Sequence, residues 1–250
     1  MSSLYLDFDL DRARVCVGGT AALTGGESRH AASVSRVRVG EIIAIGNGQG
    51  LVVTGPVSGV EPDRVVITIQ DVSVTEPVTQ AIWLVQALAK GDRDESAVQA
   101  ACELGVDGVI PWAAQRSIVK WDGAKVRKGQ DRWSAIVREA TKQSVRAFLP
   151  DVAPLVTTKQ LALLAGSSRM LVLAPDALTK LSDIVFAGDG SEPSEDIVLV
   201  VGPEGGIGQG EIGQLLAAGA TAVKLGDTVL RTGTAGPAAI AALSVLLGRW

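Results

Sequence analysis

The sequence is poor in the residues that build metal centres and disulfide frameworks, because its 250 residues include two cysteines and one histidine. Cys16 and Cys102 lie far apart and belong to no CxxC pair. This excludes a disulfide scaffold and a cysteine-rich metal site, and it is typical of a reducing cytosol. Neither GxSxG nor HExxH occurs, so a triad hydrolase or a zinc enzyme has little support. We predict no metal, and a structural or surface role for the single histidine, His30.

The sequence also lacks a long apolar run. The longest one, at 235–248, is interrupted by Gly236 and Pro237 and is too short to cross a bilayer. The opening residues, MSSLYLDFDLDR, contain neither the basic region nor the apolar region of a secretory signal. These two absences predict a cytoplasmic protein.

Overall positive charge is missing as well. The formal net charge of −4 argues, at first sight, against a chain that binds nucleic acid through its total charge. Residues 115–146, however, carry nine basic and three acidic side chains, which leaves 14 basic and 24 acidic ones elsewhere. Such cations can contact phosphates, and the interleaved Trp121 and Trp133 can stack on bases. The alternative interpretation of this basic segment is a solvated helix face.

Two patterns divide the chain near Pro77. The first domain, 1–74, consists of short strands broken by turn residues, which predicts a small β-barrel. Its strands are predicted at 14–17, 41–45, 51–54 and 64–70. In the second domain, 78–250, apolar strands alternate with helical segments, which predicts a parallel α/β sheet with helices on both faces. Its strands are predicted at 81–87, 106–112, 170–174, 197–201 and 222–225.

Helix signals lie between these later strands. Asp92, with Glu95 three residues on, forms a capping-box pattern for a helix that ends near residue 105. A long amphipathic helix should open at Asp131 or Ser134 and finish before Pro150. Basic residues recur on it at every fourth position, which predicts one shared face for Arg138, Lys142 and Arg146. Two further helices are predicted from Gln209 and from Thr234, and the stretch 188–196 is predicted to be a loop.

The most informative segment is 199–208, in which an apolar strand runs into the glycine-rich loop GPEGG and then into a helix. Open α/β sheets bind ligands at this place, outside the carboxyl ends of their strands. The spacing is neither GxGxxG nor GxxxxGK[ST], so neither a dinucleotide fold nor a P-loop follows, and a flexible helix entry is the alternative. A second loop follows the strand that ends at Leu225. Two such loops should lie side by side and form one pocket.

These stretches together resemble the bacterial small-subunit ribosomal RNA uridine N3-methyltransferases of the SPOUT class, over nearly the whole chain. The order GPEGG and then LGxxxLRT is specific, whereas the other matching stretches are not specific alone. The resemblance rests on residues 30–50, 86–92, 103–106, 116–117, 132–133, 139–146 with 150, 202–206 and 225–232.

The resemblance implies an α/β protein with an N-terminal PUA-like β-barrel, which helps to hold RNA, and a C-terminal SPOUT methyltransferase domain with a trefoil knot. It also implies a homodimer that completes the active site on small-subunit ribosomal RNA, and S-adenosyl-L-methionine as the cofactor. The cofactor residues that it implies are Leu173, Ala174, Gly202, Pro203, Glu204, Gly205, Gly206, Leu225, Gly226, Leu230, Arg231 and Thr232.

The implied reaction methylates N3 of one uridine. Glu204 is the candidate base or orienting residue, with a helix cap as its alternative role, and Arg231 and Arg146 are candidates to stabilise the uracil oxygens. Candidate RNA contacts are Arg36, Arg38, Lys90, Arg116, Arg138, Lys142 and Arg146.

One position departs from the family. Gly233 stands where the family often has Glu, in LRTETA, so we assign no essential carboxylate there. Two alternative functions stay open, and a third is disfavoured. A SPOUT enzyme could act on another ribosomal or transfer RNA position, such as a ribose 2′-hydroxyl. A non-enzymatic RNA-binding or ribosome-assembly protein would keep the barrel and the basic segment. A dinucleotide oxidoreductase is disfavoured because GxGxxG is missing.

Overall fold

The computed structural model describes residues 3–186 and 195–250, so most of the predicted loop at 188–196 lies outside the described residues. The chain divides into two compact units. The first unit consists of Met1–Pro77 and Thr141–Leu149, and the second of Val78–Ala140 and Pro150–Trp250. The segment Thr141–Leu149, which falls inside the predicted second domain, therefore clusters with the first unit.

The first unit is built on six strands. They are β1 (Leu4–Leu6), β2 (Thr20–Thr24), β3 (Ile42–Gly46), β4 (Leu51–Glu61), β5 (Arg64–Thr68) and β6 (Asp71–Val74). Their order is β1-β3-β4-β5-β2, with β6 also paired to β4, and helix α1 (Gly25–Arg29) continues into a π-helical turn at His30–Val34. Alternate residues of β4 point into an apolar core, as in a half-buried strand.

The strand predicted at 14–17 is wrong. A 3₁₀ turn occupies Arg12–Arg14, because the Asp11 carboxylate accepts a hydrogen bond from the backbone N–H of Ala13 at 2.9 Å. This local bond gives the backbone an alternative to strand pairing.

The second unit contains a seven-stranded sheet whose paired strands all run parallel. Its strands are β7 (Ile82–Ala87), β8 (Gly108–Trp112), β9 (Asp151–Val152), β10 (Arg169–Leu173), β11 (Thr179–Lys180), β12 (Ile197–Val201) and β13 (Thr221–Lys224). The order is β11-β13-β10-β12-β7-β8-β9. The apolar run at 197–201 thus forms a fully buried strand, and the predicted parallel sheet is confirmed.

Five longer helices follow along the chain: α2 (Arg93–Glu103), α3 (Ala124–Gln143), α4 (Thr158–Leu164), α5 (Gln209–Ala217) and α6 (Thr232–Leu246). Helices α2 and α6 pack against each other and on β7, whereas α4 packs on α5. None of the helices within the described residues is long and apolar enough to span a membrane. The predicted trefoil knot stays a prediction.

The start of α2 differs from the predicted capping box. Asp92 has the left-handed φ of 58° and its side chain makes no capping hydrogen bond. The buried Asp94 carboxylate accepts instead from the backbone N–H groups of Ala89, at 3.2 Å, and Glu95, at 2.9 Å. Burial raises the pKa of the Asp94 carboxyl, against the lowering effect of these hydrogen bonds.

Helix α3 also differs from its prediction at both ends. It begins at Ala124, before Asp131 and Ser134, and it ends at Gln143 because Val145 takes the left-handed φ of 53°. Arg146 lies beyond the helix, so the predicted helix face shared by Arg138, Lys142 and Arg146 is wrong.

Lys142 is a buried side chain of the first unit. Its Nζ lies 3.5 Å from a carboxylate oxygen of Glu27, and the two side chains are 6% and 12% exposed. Backbone bonds hold the same segment, since Leu149 N–H donates to the carbonyl of Gly48 and Gly50 N–H donates to that of Ala147. This buried ion pair removes Lys142 from the surface on which it was predicted to contact RNA.

Replacing Lys142 by Met should lower the free energy of unfolding by about 3 kcal/mol, because Glu27 then keeps a buried charge without its ammonium partner. Urea titration measures the change. The double variant Glu27→Gln/Lys142→Met should regain part of the loss, since neither side chain is then charged. The matched control Lys159→Met, at an exposed lysine of α4, should change stability by less than about 0.5 kcal/mol. A loss in Lys142→Met no larger than in this control would contradict the buried pair.

Candidate functional site

Three loops meet at one edge of the second unit's sheet. Strand β10 lies between β12 and β13 and is parallel to both, so the carboxyl ends of all three strands open on the same side. The loops that follow them enclose a cavity of about 550 Å³. This volume lies within the range of small-molecule and cofactor sites.

Nearly all the predicted cofactor residues line this cavity. The structure brings together Leu173, Ala174, Gly202, Pro203, Glu204, Gly206, Leu225, Gly226, Leu230, Arg231 and Thr232. Gly205 is the exception among the predicted set: a Cβ on it would lie 3.3 Å from the Cβ of Arg116.

Several lining residues were missed from the sequence. Pro175, Asp176, Ile207 and Val229 directly follow or interleave with predicted residues, so a wider window around each loop would have included them. No neighbouring motif in the sequence predicts that Arg93 lines the cavity. This residue lies at the start of α2, and only the order of the sheet shows that the loop after β7 reaches the same edge.

Close packing explains the glycines of the loop 202–208 better than a flexible helix entry does. A Cβ on Gly202 would lie 2.5 Å from Cγ1 of Ile207, and a Cβ on Gly208 would lie 2.8 Å from Oε1 of Gln115. Gly206 has a φ of +70°, where glycine is favoured, and its N–H donates to the carbonyl of Pro203 at 2.9 Å. Backbone groups can therefore approach a ligand here without intervening side chains.

Thr232 joins two of the loops. Its hydroxyl donates to the carbonyl of Gly202 at 2.7 Å and accepts from the side-chain amide of the fully buried Gln86 at 2.9 Å. Since Thr232 is the first residue of α6, these bonds fix the start of that helix against the glycine-rich loop.

Glu204 is paired with a cation at the cavity. Its carboxylate lies 2.7 Å from the guanidinium of Arg93 and also accepts from the backbone N–H of Lys90 at 3.1 Å. Burial raises the pKa of the Glu204 carboxyl, but hydrogen bonds from its own backbone N–H, from Arg93 and from Lys90 outweigh burial and lower the pKa. A carboxylate of lowered pKa is a weak base, so this geometry favours the orienting role over the base.

Arg231 is a second cation at the cavity, and its contacts differ from those of Arg93. It lies at the cavity, exposed, and makes no side-chain hydrogen bond or ion pair with any residue that the structure describes. Lys224 also lines the cavity, and its Nζ lies 3.4 Å from Oδ1 of Asp227. The guanidinium of Arg231 is therefore available to an anionic or carbonyl oxygen of a ligand.

The predicted RNA contacts fall in both units. Arg36 and Arg38 are exposed in the first unit, to which Arg146 also belongs. None of the three is among the residues that line the cavity. In the second unit Lys90 is exposed and Arg138 is half-buried. The exposed Arg116 donates from Nη1 to the carbonyl of Gly205 at 3.1 Å, which places it beside the glycine-rich loop.

Two aromatic residues of the basic segment were expected as base-stacking platforms. Trp133 is 1% exposed, and its ring meets that of Trp121 edge to face with 5.6 Å between centroids. The stacking expectation is wrong for Trp133, because burying its ring in the unit leaves no free face for a base.

Gly233 faces a close neighbour. A Cβ at this position would lie 3.0 Å from the backbone carbonyl oxygen of Arg93. A larger side chain therefore requires a small shift between the starts of α2 and α6. Across residues 3–186 and 195–250, no cluster of His, Cys, Asp and Glu has the arrangement of a metal site.

Comparison with known proteins agrees with this architecture. Residues 76–244 match the family described as "RNA methyltransferase domain", and residues 23–70 match "RNA methyltransferase PUA domain". The fold and its site thus define an RNA methyltransferase. The predicted order, a PUA-like domain followed by a SPOUT-type α/β methyltransferase domain, is confirmed.

Individual relatives narrow the family. The ribosomal RNA small subunit methyltransferase E of Mycobacterium tuberculosis is 40% identical over 238 residues, which cover 93% of this chain and 89% of that protein. A crystal structure of the Neisseria gonorrhoeae methyltransferase E, bound to S-adenosyl methionine, superposes with a TM-score of 0.84 at 32% identity and 98% coverage of both chains. A Legionella pneumophila methyltransferase structure with the same cofactor gives a TM-score of 0.83 at 29% identity, covering 100% of this chain and 98% of that one. The chain belongs to the ribosomal RNA small subunit methyltransferase E family.

Proposed function

We propose that the protein methylates N3 of a specific uridine in small-subunit (16S) ribosomal RNA, with S-adenosyl-L-methionine as methyl donor. The observation that carries the proposal is the single cavity formed by the loops after β10, β12 and β13, which unites the GPEGG and LGxxxLRT motifs. The full-length similarity to the methyltransferases E supports it.

The cavity suits this cofactor chemically. Its walls are apolar at Leu173, Val223, Leu225 and Leu230, which suits an adenine ring, and the glycine-rich loop exposes main-chain groups to polar atoms. Asp176 and Arg231 supply charged groups for the amino-acid part and for RNA. When bound, S-adenosylmethionine supplies an already activated methyl group, so the protein's own tasks are positioning and charge stabilisation.

The charge of each side chain decides which of these tasks it performs. Uridine N3 carries a proton at neutral pH, so a cation that stabilises the uracil oxygens favours the anion that must form. Arg231, which lines the cavity and has no ion-pair partner among the described residues, takes this role. The same role for Arg146 stays a prediction from the resemblance. Glu204 acts as an orienting residue, because its lowered pKa and its bond to Arg93 fit a fixed carboxylate.

RNA recognition requires an unpaired target, since N3 lies on the Watson–Crick edge and must be extruded into the pocket. With Lys142 removed from the set by its burial, the remaining RNA contacts are Arg36, Arg38, Lys90, Arg116, Arg138 and Arg146. Three of these cations lie in each unit, on a chain of net charge −4. Selective docking on a shaped RNA is then favoured over general attachment to nucleic acid.

We propose that the enzyme acts as a homodimer in the cytoplasm, where its ribosomal substrate is made. Leu178 and Val245, exposed apolar side chains of the second unit outside the cavity lining, are candidate contacts for a second copy. Sedimentation of the purified chain should then give twice the mass of one chain, and a monomer at micromolar concentration would contradict the dimer.

Mass-spectrometric mapping of modified nucleosides in ribosomal RNA from a strain without the gene tests the reaction. We expect one N3-methyluridine to disappear from the small-subunit RNA, and the purified protein with S-adenosylmethionine to restore it. Loss of a 2′-O-methyl nucleoside instead would move the target to a ribose. Failure of the chain to bind the cofactor in calorimetry would favour a non-enzymatic RNA-binding protein, and NAD-dependent turnover would revive the oxidoreductase.

Glu204→Gln should lower the single-turnover rate by a constant factor between about pH 6 and about pH 9, without changing the shape of the pH profile. The reason is that the lowered pKa keeps Glu204 ionised throughout this range, so its titration contributes no inflection. Rapid-quench assays in matched buffers measure the profile. If the wild type shows an inflection in this range that Glu204→Gln lacks, Glu204 is the base and the orienting role is contradicted.

Lys90→Gln should weaken binding to the ribosomal RNA fragment and make the slope of log K against log salt shallower by about 0.7 to 0.9, as expected for one phosphate contact. Its backbone N–H remains to bond Glu204, so cofactor binding should change little. Lys159→Gln, at an exposed lysine outside the proposed contacts, is the matched control. Equal slopes for both variants and the wild type would remove Lys90 from the RNA surface.

A further inference from the structure

A buried carboxylate lies behind the glycine-rich loop, outside the cavity lining. Glu211, in the first turn of α5, is 7% exposed. It accepts hydrogen bonds from the backbone N–H of Gly208 at 3.2 Å, from the backbone N–H of Gln115 at 2.9 Å and from the hydroxyl of Thr158 at 2.6 Å. Three hydrogen-bond donors thus converge on the two oxygens of this side chain.

These three donors belong to three different elements. Gly208 ends the glycine-rich loop, Gln115 lies in the loop after β8, and Thr158 begins α4. The Thr158 hydroxyl also accepts from the indole N–H of Trp112, the last residue of β8, at 3.2 Å. A helix cap alone would satisfy only the N–H groups of its own first turn. Glu211 in addition joins the glycine-rich loop to Thr158 and Gln115, which precede it in sequence by 53 and 96 positions.

The loop is thereby fastened at three points spaced along its length. Thr232 holds the carbonyl of Gly202, Arg116 holds the carbonyl of Gly205, and Glu211 holds the N–H of Gly208. Packing at the last point is tight, since a Cβ on Gly208 would lie 2.8 Å from Gln115 Oε1 and 3.2 Å from Glu211 Oε2. The end of the loop that leads into α5 therefore depends on the Glu211 carboxylate for its conformation.

We propose that Glu211 is a positioning residue, which holds the glycine-rich loop in the conformation that binds S-adenosylmethionine. This inference rests on the proposed function of the cavity. If only a fraction of molecules has the loop in the binding conformation, the apparent dissociation constant rises by the inverse of that fraction. A positioning defect therefore weakens cofactor binding, and saturating cofactor restores the rate.

The test uses the full chain and the variant Glu211→Gln, in which an NH₂ group replaces one acceptor oxygen among N–H and O–H donors. We expect calorimetry without RNA to show an affinity for S-adenosylmethionine lower by about tenfold. In steady-state assays KM for the cofactor should rise by a similar factor, while kcat at saturating cofactor and KM for RNA stay within about twofold of the wild type. Glu103→Gln, at an exposed α2 glutamate that accepts from Gln99, removes the same charge and should leave all three values unchanged.

A second variant keeps the test decisive if Glu211→Gln does not fold. Thr158→Val removes one of the three donors and leaves both backbone donors, so KM for the cofactor should rise by a smaller factor of about threefold. An unchanged cofactor affinity in Glu211→Gln, or in Thr158→Val when Glu211→Gln is unfolded, overturns the proposal. So does a fall in kcat that saturating cofactor does not restore. A wild-type chain that binds no S-adenosylmethionine would instead overturn the proposed function itself, before any variant is compared.

Discussion

The parallel pairing of β12, β10 and β13 is the constraint on which the site depends. Leu171 of β10 lies opposite Leu199 on one side and Thr221 on the other, so the three strands run in step. Their carboxyl ends are thereby fixed beside one another, although the loops that follow are far apart in sequence. The cavity exists because these strands are aligned, and the loops then need only short connections to enclose it.

At this site, ion pairing decides which charges are available to a ligand, more than the number of charged residues does. Glu204 and Arg93 neutralise each other at the cavity, whereas Arg231 has no such partner within the described ranges. In the first unit the ammonium of Lys142 is buried against Glu27. A count of basic residues therefore overstates the positive surface, and the identity of the unpaired cations decides where an anionic ligand can bind. Salt screens such local fields over about 10 Å, which makes them selective for a ligand of matching shape.

The sequence predicted the site better than the helices around it. A short apolar run that stops at the Gly and Pro of GPEGG favours a buried strand and a turn over a helix, so β12 and its loop could be placed without a structure. The bounds of α3 could not be predicted in this way. The left-handed Val145 that ends the helix is not a glycine, and the first turns of the helix contain no apolar repeat that marks a start. Burial of Lys142 depends on Glu27, 115 residues earlier, and no local pattern reveals such a partner. Arg93 was missed for the same reason, since only sheet order brings β7 beside β12.

The central claim is that the three loops form one cofactor site, and amide hydrogen exchange of the full chain with and without S-adenosylmethionine tests it most directly. Exchange should slow together in peptides that cover 174–176, 202–208 and 225–231, because one ligand would order all three. Slowing in only one of these loops, or in none at saturating cofactor, would contradict the account.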